Sequence, residues 1–302
     1  MQLVAAVLLA PLLVGLVRRT KALAAGRRGD PLLQLYTDLR KLASKGAVYS
    51  RTTTWLFRAG PTLGLACTLA ALTLLPMGGA SALVAFPGDL LLLVGVLALA
   101  RLAALLAALD TGSAFAGMGA SREAWFGALT EPALLLCLAV LARVAHAASL
   151  SAIQLALGPA AWTASSGALA LAVVSLFGVL LAENSRIPFD DPTTHLELTM
   201  VHEAMVLDHG GPDLALLELA AALKLWAFAS LLAGVLVPVR TGVAVVDALA
   251  QLGGIAAVGI ALGAVESTMA RLRLVRVPQL LIGIGVLAVL GAMLVVGPGA
   301  AP

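Results

Sequence analysis

Residues 182–213 read AENSRIPFDDPTTHLELTMVHEAMVLDHGGPD, a polar stretch set between two long apolar runs at 161–182 and 214–237. It holds seven of the chain's 16 carboxylates and three of its four histidines. Each flanking run has roughly the 20 apolar residues needed to cross about 30 Å of hydrocarbon. So much acid beside a membrane span must be solvated, packed on a partner, or part of a proton path, because hydrocarbon satisfies no polar group.

Working outward, the whole chain has this character. Of its 302 residues 61% are hydrophobic and only 12% charged, with a mean hydropathy of +1.03, whereas about 25% charged residues is usual in soluble domains. Apolar runs of spanning length fall at about 2–17, 62–80, 89–109, 129–150, 161–182, 214–237, 243–265 and 278–297. The expected fold is all-α: one integral membrane domain over 1–302 with about eight transmembrane helices and amphipathic or acidic helices in its cytoplasmic loops. The first run begins without a basic segment and lacks an Ala-x-Ala-like cleavage site, so it is expected to be a retained anchor. The longest loop, 18–61, is too short for a soluble catalytic domain, so the chain is expected to be non-catalytic on its own.

Basic residues set the orientation. The loops at about 18–61, 110–128, 183–213 and 266–277 carry fifteen of the 19 Lys and Arg residues, ten of them in the first, including Arg27, Arg28 and Lys41. The opposite side has Arg240 alone, and Arg101, Arg143 and Lys224 lie inside spans. The polar loops are therefore expected on the cytoplasmic side of a prokaryotic (inner) membrane, with both termini outside. Within the first loop, Leu32, Leu35, Leu39 and Leu42 recur at spacings of three and four with Asp38, Arg40 and Lys41 between them. That pattern predicts an amphipathic surface helix over 31–44, for docking a partner or lying on lipid.

Asp191 before Pro192 is a helix start, and His209-Gly210-Gly211-Pro212 a stop, so 192–209 is expected to be largely helical. His195, His202 and His209 would then form one stripe with members about 10 Å apart along the axis, too far to share a metal ion. A solvated or subunit-facing stripe is expected. Cys67 and Cys137 sit alone in separate spans, as small core residues do, so no metal site is expected and any cluster or flavin belongs to another subunit.

Glu131, Glu218 and Glu266 lie in or at the ends of spans, with Arg101, Arg143 and Lys224 as possible partners. Burying each ion costs at least about 2.5 kcal/mol unless it is paired or snorkels. Arg143 and Lys224 are expected to pair between helices. Glu131 and Glu218 have no basic residue three or four positions on, so they are the candidates for proton work. His146 is expected near the outer surface.

The stretch AENSRIPFD at 182–190 resembles the Ala-Glu-Thr-Asn-Arg-x-Pro-Phe-Asp signature of the respiratory complex I subunit that joins the peripheral arm to the proton-pumping arm. DPTTHLELTMVHEAMVLDHGGPDLALLE, which follows, is similar to the counterpart in group 4 membrane-bound [NiFe] hydrogenases, the formate hydrogenlyase subunit 4 and hydrogenase-4 component C family. GRRGDPLLQLYTDLRKLASKG at 26–46 and LDTGSAFAGMGASREAWFGALTEPALL at 109–135 resemble that family's first two cytoplasmic loops.

The resemblance implies an anchoring and coupling subunit that links redox chemistry in a docked arm to proton or sodium translocation. It implies Glu131, Glu183, Arg186, Asp190, Asp191, Glu197, Glu203, Asp208 and Glu218 as proton-path or coupling residues. It implies docking of the peripheral arm on Arg27, Arg28, Asp38, Lys41, Arg122, His195 and His202. The expected partners are hydrogenase large and small subunits, iron-sulfur subunits, antiporter-like membrane subunits and the lipid bilayer, with no nucleic acid. The NiFe centre and iron-sulfur clusters would reside in those partners. Asp191 to His195 depart from complex I's usual Leu-Pro-Glu-Ala-Glu run, which weighs against a quinone-binding complex I subunit; a purely structural anchor is the remaining alternative.

Overall fold

The computed structural model describes residues 2–190, 200–239 and 241–296. Eight helices in this part are long and apolar enough to cross a membrane. In chain order the helices are α1 (Gln2–Ala24), α2 (Gln34–Ala43), α3 (Trp55–Thr73), α4 (Asp89–Asp110), α5 (Ala114–Ala145), α6 (Leu150–Ala156), α7 (Pro159–Glu183), α8 (His202–Val206), α9 (Gly211–Leu236), α10 (Ala244–Thr268) and α11 (Val277–Val296). All except the short α2, α6 and α8 are spans. Among the described residues the polar loops gather at one end of the bundle, called here the polar end, while the start of α1, the end of α11 and the link 74–88 lie at the far end.

Two helices organise the packing. α9 is contacted by α1, α2, α3, α7 and α10, and α5 by α4, α6, α7, α8 and α11. From Ala222 to Val235 α9 buries residues on every face, Leu223, Trp226, Phe228 and Leu232 among them, as a helix apolar all round must do. Small residues bring the periphery in. Gly259 and Gly263 of α10 form a Gly-x-x-x-Gly pair against α1. A Cβ at the first would lie 2.6 Å from Leu13, and one at the second 2.7 Å from Thr20 and 3.0 Å from the Val17 carbonyl oxygen. Lipid chains are as apolar as leucine, so such close backbone approach contributes much of the attraction between spans.

The second span sits earlier than the expected 62–80. Thr54 caps α3 by accepting the Leu56 N–H at 3.3 Å, and Asp110 accepts the N–H groups of Thr54 and Phe57 at 2.6 and 3.2 Å. The helix stops before Pro76, Gly78 and Gly79, the glycines having positive φ. Arg58 is accommodated near the helix start by lying 4.4 Å over the Tyr49 ring. The expected loop 110–128 is almost wholly helix. α5 has 32 residues, about 48 Å, so its first turns run beyond the hydrocarbon and carry α8. α2 forms within the expected 31–44, but its apolar face is taken by this chain's own α9 and α1. Leu35 is buried there, and the Tyr36 hydroxyl donates to the Leu8 carbonyl. Cys67 and Cys137 are buried free thiols.

The expected helix 192–209 starts outside the described residues, and its described part is helical only over α8. Asp190 Oδ2 accepts the Val201 and His202 N–H groups at 3.3 and 3.2 Å, so a carboxylate eleven residues upstream starts α8 at that point. Leucine at Gly263 should drive α1 off α10 and lower the membrane-inserted, assembled chain several-fold in blue-native gels. Leucine at Gly253, where a side chain meets open space, should leave it unchanged.

Candidate functional site

The stretch 183–190 ends α7 and supplies three charges, each joined to a different part of the bundle. Glu183 is fully enclosed. It pairs with the Arg101 guanidinium of α4, with Lys224 of α9 at 2.9 Å, and accepts the Thr130 hydroxyl of α5 at 2.8 Å. Arg186 lies 3.4 Å from Glu266 at the end of α10, and Glu266 lies 3.7 Å from Lys21 at the end of α1. Asp190 pairs with Arg271, just after α10, at 2.7 Å while its second oxygen holds the start of α8. Three adjacent turns of chain thus tie α1, α4, α8, α9 and α10 to α7 at the polar end.

The innermost group is the densest. Arg101 lies nine residues from the end of α4, about 14 Å of helix. Besides Glu183 it contacts Glu131 at 2.5 Å and Glu123 at 3.6 Å, both on α5. The guanidinium fits because residue 127, on the face between these two acids, is glycine; a Cβ there would collide with it. A planar fork with five donors spread over three nitrogens can reach three carboxylates that sit on different sides of it. The side chains of Glu183, Glu123 and Glu131 are 2%, 11% and 34% exposed, so Glu131 is the one of the three that reaches the surface of the bundle.

Not every expected residue joins these networks. Glu218 is half-buried on α9 and makes no ion pair among the described residues. Glu203 is half-buried in α8, and Asp208 is exposed beyond it. Asp191, His195 and Glu197 lie outside the described residues. Arg27, Arg28 and Lys41 are exposed at the polar end, Asp38 is half-buried and accepts from Gln34, and the Arg122 guanidinium donates to the Met200 carbonyl at 3.0 Å. His202 is half-buried at the start of α8.

Three expectations are corrected. Glu131, without a cation on its own helix, finds Arg101 on the neighbouring one. Arg143 makes no ion pair among the described residues and is exposed at the far end, whereas Lys224 pairs as expected. His209 does not belong to a solvated stripe: it is buried and stacked on Phe57, with ring centroids 3.9 Å apart and planes within 3°. Sequence reasoning passed over Glu123, whose only signal is a carboxylate one position after an arginine at the edge of an apolar run, and it placed Lys21 and Arg271 in loops without a role. Among the described residues no group of three or more His, Cys, Asp or Glu is placed to hold a metal ion.

Eight spans, a charged hub closing α7 and a long α5 carrying α8 make a pattern that can be compared with known proteins. The sequence pattern of the NADH dehydrogenase family matches residues 1–297. The chain belongs to that family. It is 35% identical to hydrogenase-4 component C of Escherichia coli (strain K12) over 239 residues, 78% of this chain and 74% of that one. It is 33% identical to formate hydrogenlyase subunit 4 of the same organism over 282 residues, 90% and 89% of the two chains. Among solved structures, a chain of the membrane-bound sulfane sulfur reductase, an archaeal respiratory membrane complex, superposes with a TM-score of 0.83. That match covers 97% of this chain and 96% of the other at 21% identity, which establishes the shared fold. The protein is a multi-pass membrane protein whose relatives are subunits of multi-subunit complexes.

Two outcomes follow from this geometry. Arg101→Met leaves three carboxylates facing one lysine, and breaking such a buried pair costs about 3–5 kcal/mol. Thermal unfolding of the purified complex should show that loss, and adding Glu183→Gln should recover part of it; strictly additive effects would mean the two groups do not interact. His209 lies outside the spans. Burial holds its imidazole below the usual histidine range, against the raising pull of Asp213 and Asp208. As pH falls through about 6.5, the ordinary value, an unfolded chain takes the proton and the folded one does not, so the folded state loses stability. Above that both forms are neutral and nothing changes. Protection factors at 45–58, that is exchange corrected for its intrinsic pH dependence, should therefore fall between pH 7.5 and 5.5 in the wild type, and His209→Phe should abolish that fall.

Proposed function

We propose that this chain is the membrane-anchoring and coupling subunit of a complex I-like, membrane-bound [NiFe] hydrogenase of the formate hydrogenlyase or hydrogenase-4 type. The two named relatives point to the hydrogenase class. The observation that supports coupling is the row of three neighbouring sets of buried ion pairs set by residues 183–190: Asp190 with Arg271, Arg186 with Glu266 and Lys21, and Glu183 with Arg101 and Lys224. In this reading the polar end faces the cytoplasm of a prokaryotic cell and both termini lie outside, because fifteen of the 19 Lys and Arg residues fall in the loops and helix ends assigned to that side. Hydrogenase large and small subunits and iron-sulfur subunits dock there and hold the NiFe centre and clusters. Antiporter-like subunits lie alongside in the membrane.

The charge count suggests how coupling works. Glu123, Glu131 and Glu183 face Arg101 and Lys224, three acids against two cations, so one proton can enter without stripping a cation of its partner. Glu131, the most exposed, is where that proton enters. Electron transfer in the docked arm alters the field at Asp190 and Arg186, and the shared proton leaves the Glu131 carboxyl for the Glu183 carboxylate while Arg101 and Lys224 stay charged. Arg101 holds all three acids and Glu183 also holds Lys224, so a change at one end alters the balance at the other.

Glu131→Gln removes the entry site but keeps an amide that can accept from Arg101. In inverted membrane vesicles it should leave electron transfer by the assembled complex within about twofold, while the proton or sodium gradient formed per electron falls by about tenfold, the scale of a lost proton-transfer group. An unchanged gradient with normal assembly would favour a purely structural anchor.

A further inference from the structure

The far end of the bundle holds a site that the coupling function does not use. An open groove of about 550 Å³ lies where α4 begins and α5 ends, lined by Gly88, Leu90, Leu91, Ala142, Arg143 and His146, with Ala147 and Ala148 behind. That volume is in the range of clefts that bind small molecules. The groove is fixed by backbone bonds: the Gly88 N–H donates to the Ala148 carbonyl at 2.8 Å, and the Ala147 N–H to that of Ala142 at 3.1 Å. The segment below it is pinned in turn by Asp89, which accepts the Leu150 N–H at 2.8 Å. His146 ends α5 in a left-handed conformation, φ 48°, which places its ring and the Arg143 guanidinium on the same terminal turn, both exposed.

Arg143 is the one Lys or Arg at this end among the described residues, and nothing in the described chain neutralises it. The two acids of this end are turned elsewhere: Asp89 to the backbone of α6, Asp247 to the N–H groups of Thr241 and Gly242. An unpaired guanidinium at the edge of the hydrocarbon attracts an anion, and its fork matches a phosphate oxygen pair. The wall beside it is aliphatic and faces outward, Leu91 being 61% and Leu92 44% exposed, and the small side chains of Ala142 and Ala147 leave room for a chain alongside. A free phosphate would have no use for that wall.

We propose that this groove binds one anionic phospholipid in the leaflet at the far end, its phosphate on Arg143 and His146 and an acyl chain along Leu90 and Leu91. A single lipid so held would fix the α4–α5 corner whose opposite end carries the Arg101 cluster.

The test uses the intact complex in its native membranes, with photoactivatable analogues of phosphatidylglycerol and phosphatidylcholine followed by mapping of the labelled peptides of this chain. The expected result is labelling of 88–92 and 142–148 by the phosphatidylglycerol probe well above the phosphatidylcholine probe. Arg143→Gln should lower it about fivefold, the effect of one cation at an anionic surface, and Arg143→Lys should keep most of it. Equal labelling by both probes, insensitive to Arg143→Gln, overturns the proposal. So does cross-linking of Arg143 to another subunit of the complex in place of lipid, which would make the groove a protein contact.

Discussion

The ion pair between Glu183 and Arg101 is the constraint on which the arrangement depends. Between helices in lipid the hydrophobic effect gives little preference for one neighbour over another, since an apolar side chain is equally at ease against lipid. A carboxylate and a guanidinium that must both be buried do give a preference: each costs several kcal/mol alone and is tolerated only when the other is in place. Residues 82 apart in the chain thereby decide that α4 and α7 meet. Because Arg101 also holds Glu123 and Glu131, and Glu183 also holds Lys224, the same requirement draws in α5 and α9, the two helices around which the others pack.

The cluster needs more than charges. It needs glycine at 127, where any side chain would occupy the guanidinium's place, and Thr130 one turn on to supply a donor to Glu183. The far half of the bundle is held by a different device. Gln251 accepts from the Gly78 N–H at 2.6 Å and from Gln154 at 2.8 Å and donates to Ser230, which also accepts from Gln2 at 2.8 Å. These are neutral groups bonded to one another at the meeting of α1, α6, α9 and α10. Charge joins the helices at one end and amides join them at the other.

The spans and the special status of 182–213 were legible in the sequence because each rests on composition over some twenty residues. The boundary of α3 was not. Hydropathy counts Arg58 as loop, while the true start is fixed by Thr54 and by Asp110 from the end of the next helix. The networks were harder still. A search for cations three or four positions away sees only one helix, so Glu131 looked unpartnered and Arg143 looked like a pairing residue, the reverse of what packing gives. His209 looked like one of three equivalent histidines because spacing along a helix says nothing of where that helix is interrupted. Resemblance identified Glu183, Arg186 and Asp190 as a set, but only the fold shows why they occur together: each closes a contact with a different helix.

The contrast between the two halves bears on the direction of any ion path. Among the described residues, ionisable groups run from Asp190 at the polar end to Lys224, about 20 Å along α9 from its start, and then cease. Beyond Lys224 on the same helix come Trp226, Phe228 and the amide-bonded Ser230, which offer no group that exchanges a proton near neutral pH. Asp89 and Asp247 further out are each bound to backbone donors as caps. Under the proposed coupling, an ion taken up by the charged half meets no further exchanging side chain on this helix among the described residues, which favours an exit sideways at the depth of the Arg101 cluster. A transporter acting alone needs a continuous path with access from both sides. A chain whose ionisable groups gather at one end and stop in mid-membrane suits the proposed role of a subunit that hands charge to a neighbour in a larger membrane complex.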